Sequence, residues 1–293
     1  MRKYYEIRGW LLTAPYLIFT LIFFLIPLVW AIWLSTMDWN LISPRRMFVG
    51  FGNFVTAVQS SKVMASFINS FKFMLIFVPL SIIVAVAIAL LINSLTVGAN
   101  LYTVAFFLPY LASGVVTSLV TKGLIAINSP VNRLVVRILH FQPPWLSDPG
   151  WATFVIVALI AWKFSGYYAL IFLAGLRGIP KEMYEAAALD GAGPWTQFRR
   201  ITVPMLYPAF FTVVVLAVGL MFGIFTEPYM LTGGGPNLAT HTWQLEIYYQ
   251  AFSSFKAGYA SAISILNAVA TFAGVAVVRW IMRYWGRAYG YEQ

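Results

Sequence analysis

Six apolar runs, each long enough to cross a bilayer at about 20 residues per crossing, constrain this chain more than any other feature. They lie at roughly 10 to 35, 66 to 93, 101 to 126, 151 to 176, 207 to 231 and 258 to 285. The expected fold is an all-α membrane protein with six transmembrane helices. Composition agrees, with 61% hydrophobic and only 10% charged residues over 293 positions. A soluble surface would need roughly 25% charged residues, so the bilayer is the solvent.

The same composition narrows the chemistry. The chain has no cysteine, which leaves no disulfide framework and no thiolate metal site. Its two histidines, His140 and His241, are far apart in loops, so neither a metal nor a cofactor is expected. The formal net charge is +10, yet the basic residues are spread over loop ends without a contiguous stripe. That pattern suits anionic lipid headgroups and not nucleic acid.

The first run follows the basic segment MRKYYEIRG. It is too long for a signal peptide and lacks a small-residue cleavage site, so it reads as a retained anchor entering from the cytoplasm. An even number of spans then places both termini inside. Arg2, Lys3, Arg8, Arg177, Lys181, Arg199, Arg200, Arg279, Arg283 and Arg287 fall inside, ten in all. Arg45, Arg46, Lys62, Arg133, Arg137 and Lys256 fall outside, six in all. The bias has the sign that the positive-inside rule requires. The outer loops, about 36 to 65, 127 to 150 and 232 to 257, are too short for a separate extracellular domain.

Between the fourth and fifth runs stands YEAAALDGAGPWTQFRRITVP, residues 184 to 204. Pro180 and Glu182 suit a helix start, and Glu185, Ala186, Ala187, Ala188 and Leu189 continue it with high propensity. Asp190-Gly191-Ala192-Gly193-Pro194 breaks it. A second short helix then leads through Pro204 into the fifth run. The bland reading is a solvated amphipathic connector; the sharper one is a helix that docks into a groove of a cytoplasmic partner.

The spacing Glu185-Ala186-Ala187, three residues, Gly191, nine residues, Ile201-x-Val203-Pro204 resembles the EAA loop of binding-protein-dependent ABC importer permeases. LRGIP before it, and EPYMLTGGGPNLATHT after the fifth run, extend the resemblance across about residues 10 to 285. It is closest in kind to the carbohydrate-uptake subfamily, the form related to the larger maltose permease subunit. This chain has the compact six-span form, without that subunit's extra N-terminal helices and large periplasmic insertion. The resemblance implies a type I importer fold and a single permease domain over 1–293, with a core at 66–285 and a cytoplasmic coupling loop at 178–206. It implies coupling through Glu185, Ala186, Ala187, Gly191 and Pro204. The implied partners are a second homologous permease, two ATP-binding cassette subunits, an extracytoplasmic solute-binding protein and a carbohydrate substrate. No G-x-x-x-x-G-K-[ST] phosphate loop occurs in the sequence, so ATP hydrolysis is assigned to another chain and this one is not an enzyme.

Carrying the family's sugar contacts over on GLRGIP and TGGGP points to Ala161, Phe164, Ser165 and Tyr168, and to Ala217, Met221 and Ile224. Ala161, Met221 and Ile224 stand where maltose permeases carry asparagines, which argues against maltose itself. Lys163 lies about twelve residues, or roughly 18 Å, into its run, too deep for easy snorkelling. It either lines the pathway and favours an anionic solute or pairs with a carboxylate such as Glu227. Lys72 and Lys122 read as snorkelling cations nearer the span ends. A channel or secondary transporter without an ATPase is the alternative class, but it gives the EAA spacing no purpose.

Overall fold

The computed structural model describes residues 2–43, 45–287 and 290, with side chains from residue 9 onward. The side chains of Arg2, Lys3 and Arg8, which enter the charge bias, lie outside those described. The chain divides into two compact units. One comprises Met1–Met64 and Glu246–Ala268, the other Ala65–Leu245 and Val269–Gln293.

In the first unit the leading apolar run is helical over Gly9–Ser35. Its middle turn, Leu21–Leu25, is a π-helix. Pro27 lacks the N–H that would bond to Phe23, and the wider turn accommodates that gap. A two-stranded antiparallel ribbon follows, Met37–Trp39 against Arg46–Phe48. Asn53, on the short helix Gly52–Gln59, donates through Nδ2 to the carbonyls of Ser35 and Met37, both at 2.9 Å. Helix Ala257–Arg287 begins against this ribbon, and only a glycine at 258 avoids collision with the Met37 carbonyl.

The second unit is organised around helix Pro149–Arg177. Pro149 opens it, and the Asp148 side chain caps it by accepting from the N–H groups of Gly150 and Trp151. Its buried faces meet Phe73 and Phe77 of helix Ser61–Ser94, and Leu206 and Val213 beyond the polar stretch. At Gly166 an added Cβ would strike the Phe106 carbonyl, so helix Ala99–Leu111 crosses here with its backbone almost touching. Small residues allow this approach, which in lipid replaces the hydrophobic effect as the source of packing energy.

Two expected spans differ from continuous helices. The third is broken, with Ala99–Leu111 and Gly114–Ile125 bent by 95°. Pro109 removes a helical N–H in the last turn, and the Ser113 side chain accepts from the Val115 N–H to start the second half. The fifth, expected over 207 to 231, stops at Gly223; Ile224 is extended, and a short helix Thr226–Leu231 follows. Pro228 cannot donate back to Ile224, which removes one helical bond at this break. Among the described residues, four helices are long and apolar enough to cross a membrane, or up to six if each bent pair counts as one span. The connections expected on the outer side are not bare loops, for they hold the ribbon and the helices Pro130–Leu139 and Trp243–Tyr248. His241 is in a connection, as expected, but is buried.

Candidate functional site

The polar stretch forms a closed helical hairpin. Helix Lys181–Leu189 starts directly after Pro180, which serves as N-cap and not as the first helical residue. It ends in a glycine-terminated turn: Gly191 has φ +80° and donates to the Ala188 carbonyl, while Ala192 donates to that of Ala187 at 2.8 Å. This double bond pattern is the Schellman motif, in which a left-handed glycine satisfies the last helical carbonyls. The return arm Pro194–Met205 is continuously helical, with a π turn at Phe198–Thr202. One side-chain bond ties the return arm to the turn and another ties it to the first arm. Gln197 Nε2 donates to the Ala192 carbonyl at 2.9 Å, and the Tyr184 and Thr202 hydroxyls share a bond at 2.9 Å.

On this frame Glu185 and Ala186 are exposed, Ala187 and Pro204 are half-buried, and Gly191 sits at the tip with open space around its Cα. A bend of 64° separates the return arm from helix Tyr207–Gly223. Leu189 is 90% exposed and Trp195 72% exposed. Sequence reasoning passed over both, although an apolar pair on so polar a segment was itself the signal.

Deeper in the second unit, the residues carried over for the solute pathway divide into two groups. Ala161, Ser165, Tyr168, Ala217, Met221 and Ile224 are all buried within this chain. Ser165 donates back to the Trp162 carbonyl at 2.8 Å, and Tyr168 packs edge-on against Phe77. Phe164 and Lys163 alone are half-buried. Phe164 meets Tyr110 edge-on at 5.3 Å, and Tyr110 stacks on Tyr167 at 4.7 Å with an interplanar angle of 11°. Tyr110 was missed because it belongs to the third span, outside the motif used for the carry-over.

Lys163 donates to Glu227 Oε1 at 3.4 Å, with side-chain exposures of 11% and 9%. Of the two roles the sequence left open, the carboxylate pair is therefore formed. Glu227 opens the short helix after the break in the fifth span, and the Cα of Gly114, just past the bend in the third, leaves room for its carboxylate. Lys72 departs from expectation. Instead of snorkelling, it turns inward and donates to Thr153 Oγ1 of the fourth span at 3.0 Å, because a hydroxyl is available within the bundle. Lys122 is exposed in the last turn of Gly114–Ile125.

The chain matches the family of binding-protein-dependent transport system inner membrane components over residues 7–290. It belongs to that family. Relatives include a lactose transport system permease protein of Rhizobium radiobacter, 32% identical over 274 residues and covering 90% of each chain. An sn-glycerol-3-phosphate transport system permease protein of Yersinia pestis is 34% identical over 263 residues, 88% of each chain. The fold matches that of a chain of a bacterial ABC transporter importing the acidic polysaccharide alginate, with a TM-score of 0.82 at 24% identity over 97% of this chain and 99% of that one.

As a family member the chain is the membrane permease subunit of a binding-protein-dependent ABC importer. Such permeases work with a second permease and with an ATPase. The hairpin and the cluster around Lys163 and Glu227 are two polar features of the second unit that this activity must explain.

Proposed function

We propose that this chain, as a single permease domain with both termini in the cytoplasm, imports a carbohydrate with energy supplied by a separate ATPase. Both helices Ser61–Ser94 and Ala257–Arg287 contribute residues to the two compact units, which supports the single-domain reading. The observation that carries the proposal is the hairpin at 181–205, held at fixed angle by its Schellman turn and by the Gln197 and Tyr184 bonds. A polar helix so braced transmits displacement without absorbing it. Glu185 supplies the charged contact in the ATPase cleft, Ala186 and Ala187 permit close approach, and Leu189 and Trp195 fill apolar pockets there. Gly191 sets the turn, and Pro204 begins the transition toward the fifth span. The other partners are a second homologous permease, a second copy of the ATPase and an extracytoplasmic solute-binding protein.

Relatives named for lactose and for trehalose/maltose transport support a carbohydrate. The half-buried aromatic set Tyr110, Phe164 and Tyr167 suits the apolar faces of a sugar ring. Because Lys163 is matched by Glu227, the cluster is formally neutral and favours a hydroxyl-rich neutral solute over an acidic one. Tyr168, Ser165, Met221 and Ile224 form the layer behind that surface and fix its shape.

The test is reconstitution in vesicles with the second permease, the ATPase and the binding protein, comparing wild type with Gly191→Pro and Glu185→Lys. Proline cannot adopt φ +80°. Solute-stimulated ATP hydrolysis should fall to the basal rate in both variants while the spans stay folded. Undiminished stimulation would overturn the coupling role. Solute accumulation driven by ATP with the proton gradient collapsed separates this reading from an ATPase-independent transporter.

A further inference from the structure

Beneath the hairpin lies a cavity of about 520 Å³ that the transport reading does not use. Its walls come from both arms of the hairpin and from the ends of helices Ser61–Ser94 and Pro149–Arg177. Two cations stand at it, Arg177 in the last turn of the fourth span and Lys181 at the start of the hairpin. Both are exposed, and neither has an ion-pair partner among the described residues. The nearby acids of the hairpin, Glu182, Glu185 and Asp190, do not line the cavity. The rest of its wall is mixed, with carbon from Leu90, Leu176, Ile179 and Phe198 and polar groups from Asn93, Tyr184, Gln197 and Thr202.

We propose that this cavity binds the phosphate-bearing headgroup of an anionic phospholipid, which braces the hairpin from the membrane side. The chemistry is that of a phosphate group, which Arg and Lys attract and which a Lys or Arg near a membrane surface favours by about 1 kcal/mol each. Two features assign it to lipid and not to free phosphate. The cavity sits at the ends of two bilayer-spanning helices, where headgroups lie, and its mixed wall suits a headgroup, with Asn93 and Gln197 for glycerol hydroxyls and Leu90, Leu176, Ile179 and Phe198 for the first acyl carbons. The occupant would touch Tyr184 from one arm and Thr202 from the other, the residues whose hydroxyl bond already joins them. Binding therefore stiffens the element that the proposed function uses for coupling. The lipid site itself does not depend on that function.

The complete transporter is placed in nanodiscs of phosphatidylcholine with and without phosphatidylglycerol, and retained lipid is measured by native mass spectrometry. Phosphatidylglycerol should be retained by wild type and held about 30-fold more weakly by Arg177→Gln/Lys181→Gln, the loss expected for two such cations. The charge-keeping Arg177→Lys/Lys181→Arg variant should restore it, which rules out misfolding as the cause. Arg199→Gln/Arg200→Gln removes two exposed cations of the same hairpin outside the cavity and should leave retention unchanged. An equal loss there would reduce the effect to diffuse charge and overturn the site. So would unchanged retention in the first variant, or competition by inorganic phosphate that displaces the lipid at millimolar concentration. Because retention is read without solute or ATP, a failed coupling role leaves this result interpretable.

Discussion

The first and fourth spans show how little hydropathy says about burial in a bilayer. The most apolar 18-residue window of Gly9–Ser35 has a mean hydropathy of 2.6 and none of it is buried, whereas that of Pro149–Arg177 has 1.8 and is 56% buried. In water the more apolar helix would be the inner one. In lipid, tails receive leucine and phenylalanine as readily as another helix does, so burial goes to the helix with small and polar residues that make close or directional contacts. The fourth span has Gly166 under Phe106, Thr153 under Lys72 and Lys163 against Glu227. The first span presents Leu12, Phe19 and Phe23 outward.

This contrast sets an order of expected effects. Gly166→Leu should be the most damaging, since backbone and not a movable side chain blocks it, and overpacking costs about 1–3 kcal/mol even where side chains can yield. Loss of folded permease from the membrane fraction would be the readout, and normal yield would show that the helix crossing is looser than the structure has it. Lys163→Met comes next. It strands the Glu227 carboxylate with little solvent, a cost of about 3–5 kcal/mol, and the double variant Lys163→Met/Glu227→Met should recover most of the lost thermal stability. A double variant no better than the single one would mean that the pair does not act as a unit. Phe23→Leu in the first span should change stability by less than about 0.5 kcal/mol. A larger destabilisation of the isolated subunit would break the comparison outright.

The spans were legible because lipid imposes a length and a composition that the sequence displays directly. Their interruptions were less so. Pro109 and Pro228 lie inside apolar runs, and whether a proline kinks or breaks a membrane helix depends on whether neighbouring groups re-satisfy the freed backbone. The hairpin was legible in outline, since Gly191 after an alanine-rich helix, with Gly193-Pro194 behind it, specifies its own turn. The buried half of the cluster around Lys163 and Glu227 was not, because a residue's number along a helix fixes its height but not which neighbour it faces. Glu227 could be named as a partner for Lys163 only as one option, whereas Tyr110 needed the third span's position before it could be seen at all.

The Schellman turn has a consequence for timing. With the turn closed by backbone bonds and the arms bridged by the Tyr184–Thr202 bond, the hairpin has few soft internal coordinates through which a push could leak away as slow deformation. Under the proposed coupling, a stroke taken up at Glu185 would reach Pro204 and the 64° corner before Tyr207 nearly undelayed, which would leave the slow step of a transport cycle to the rearrangement of the broken spans.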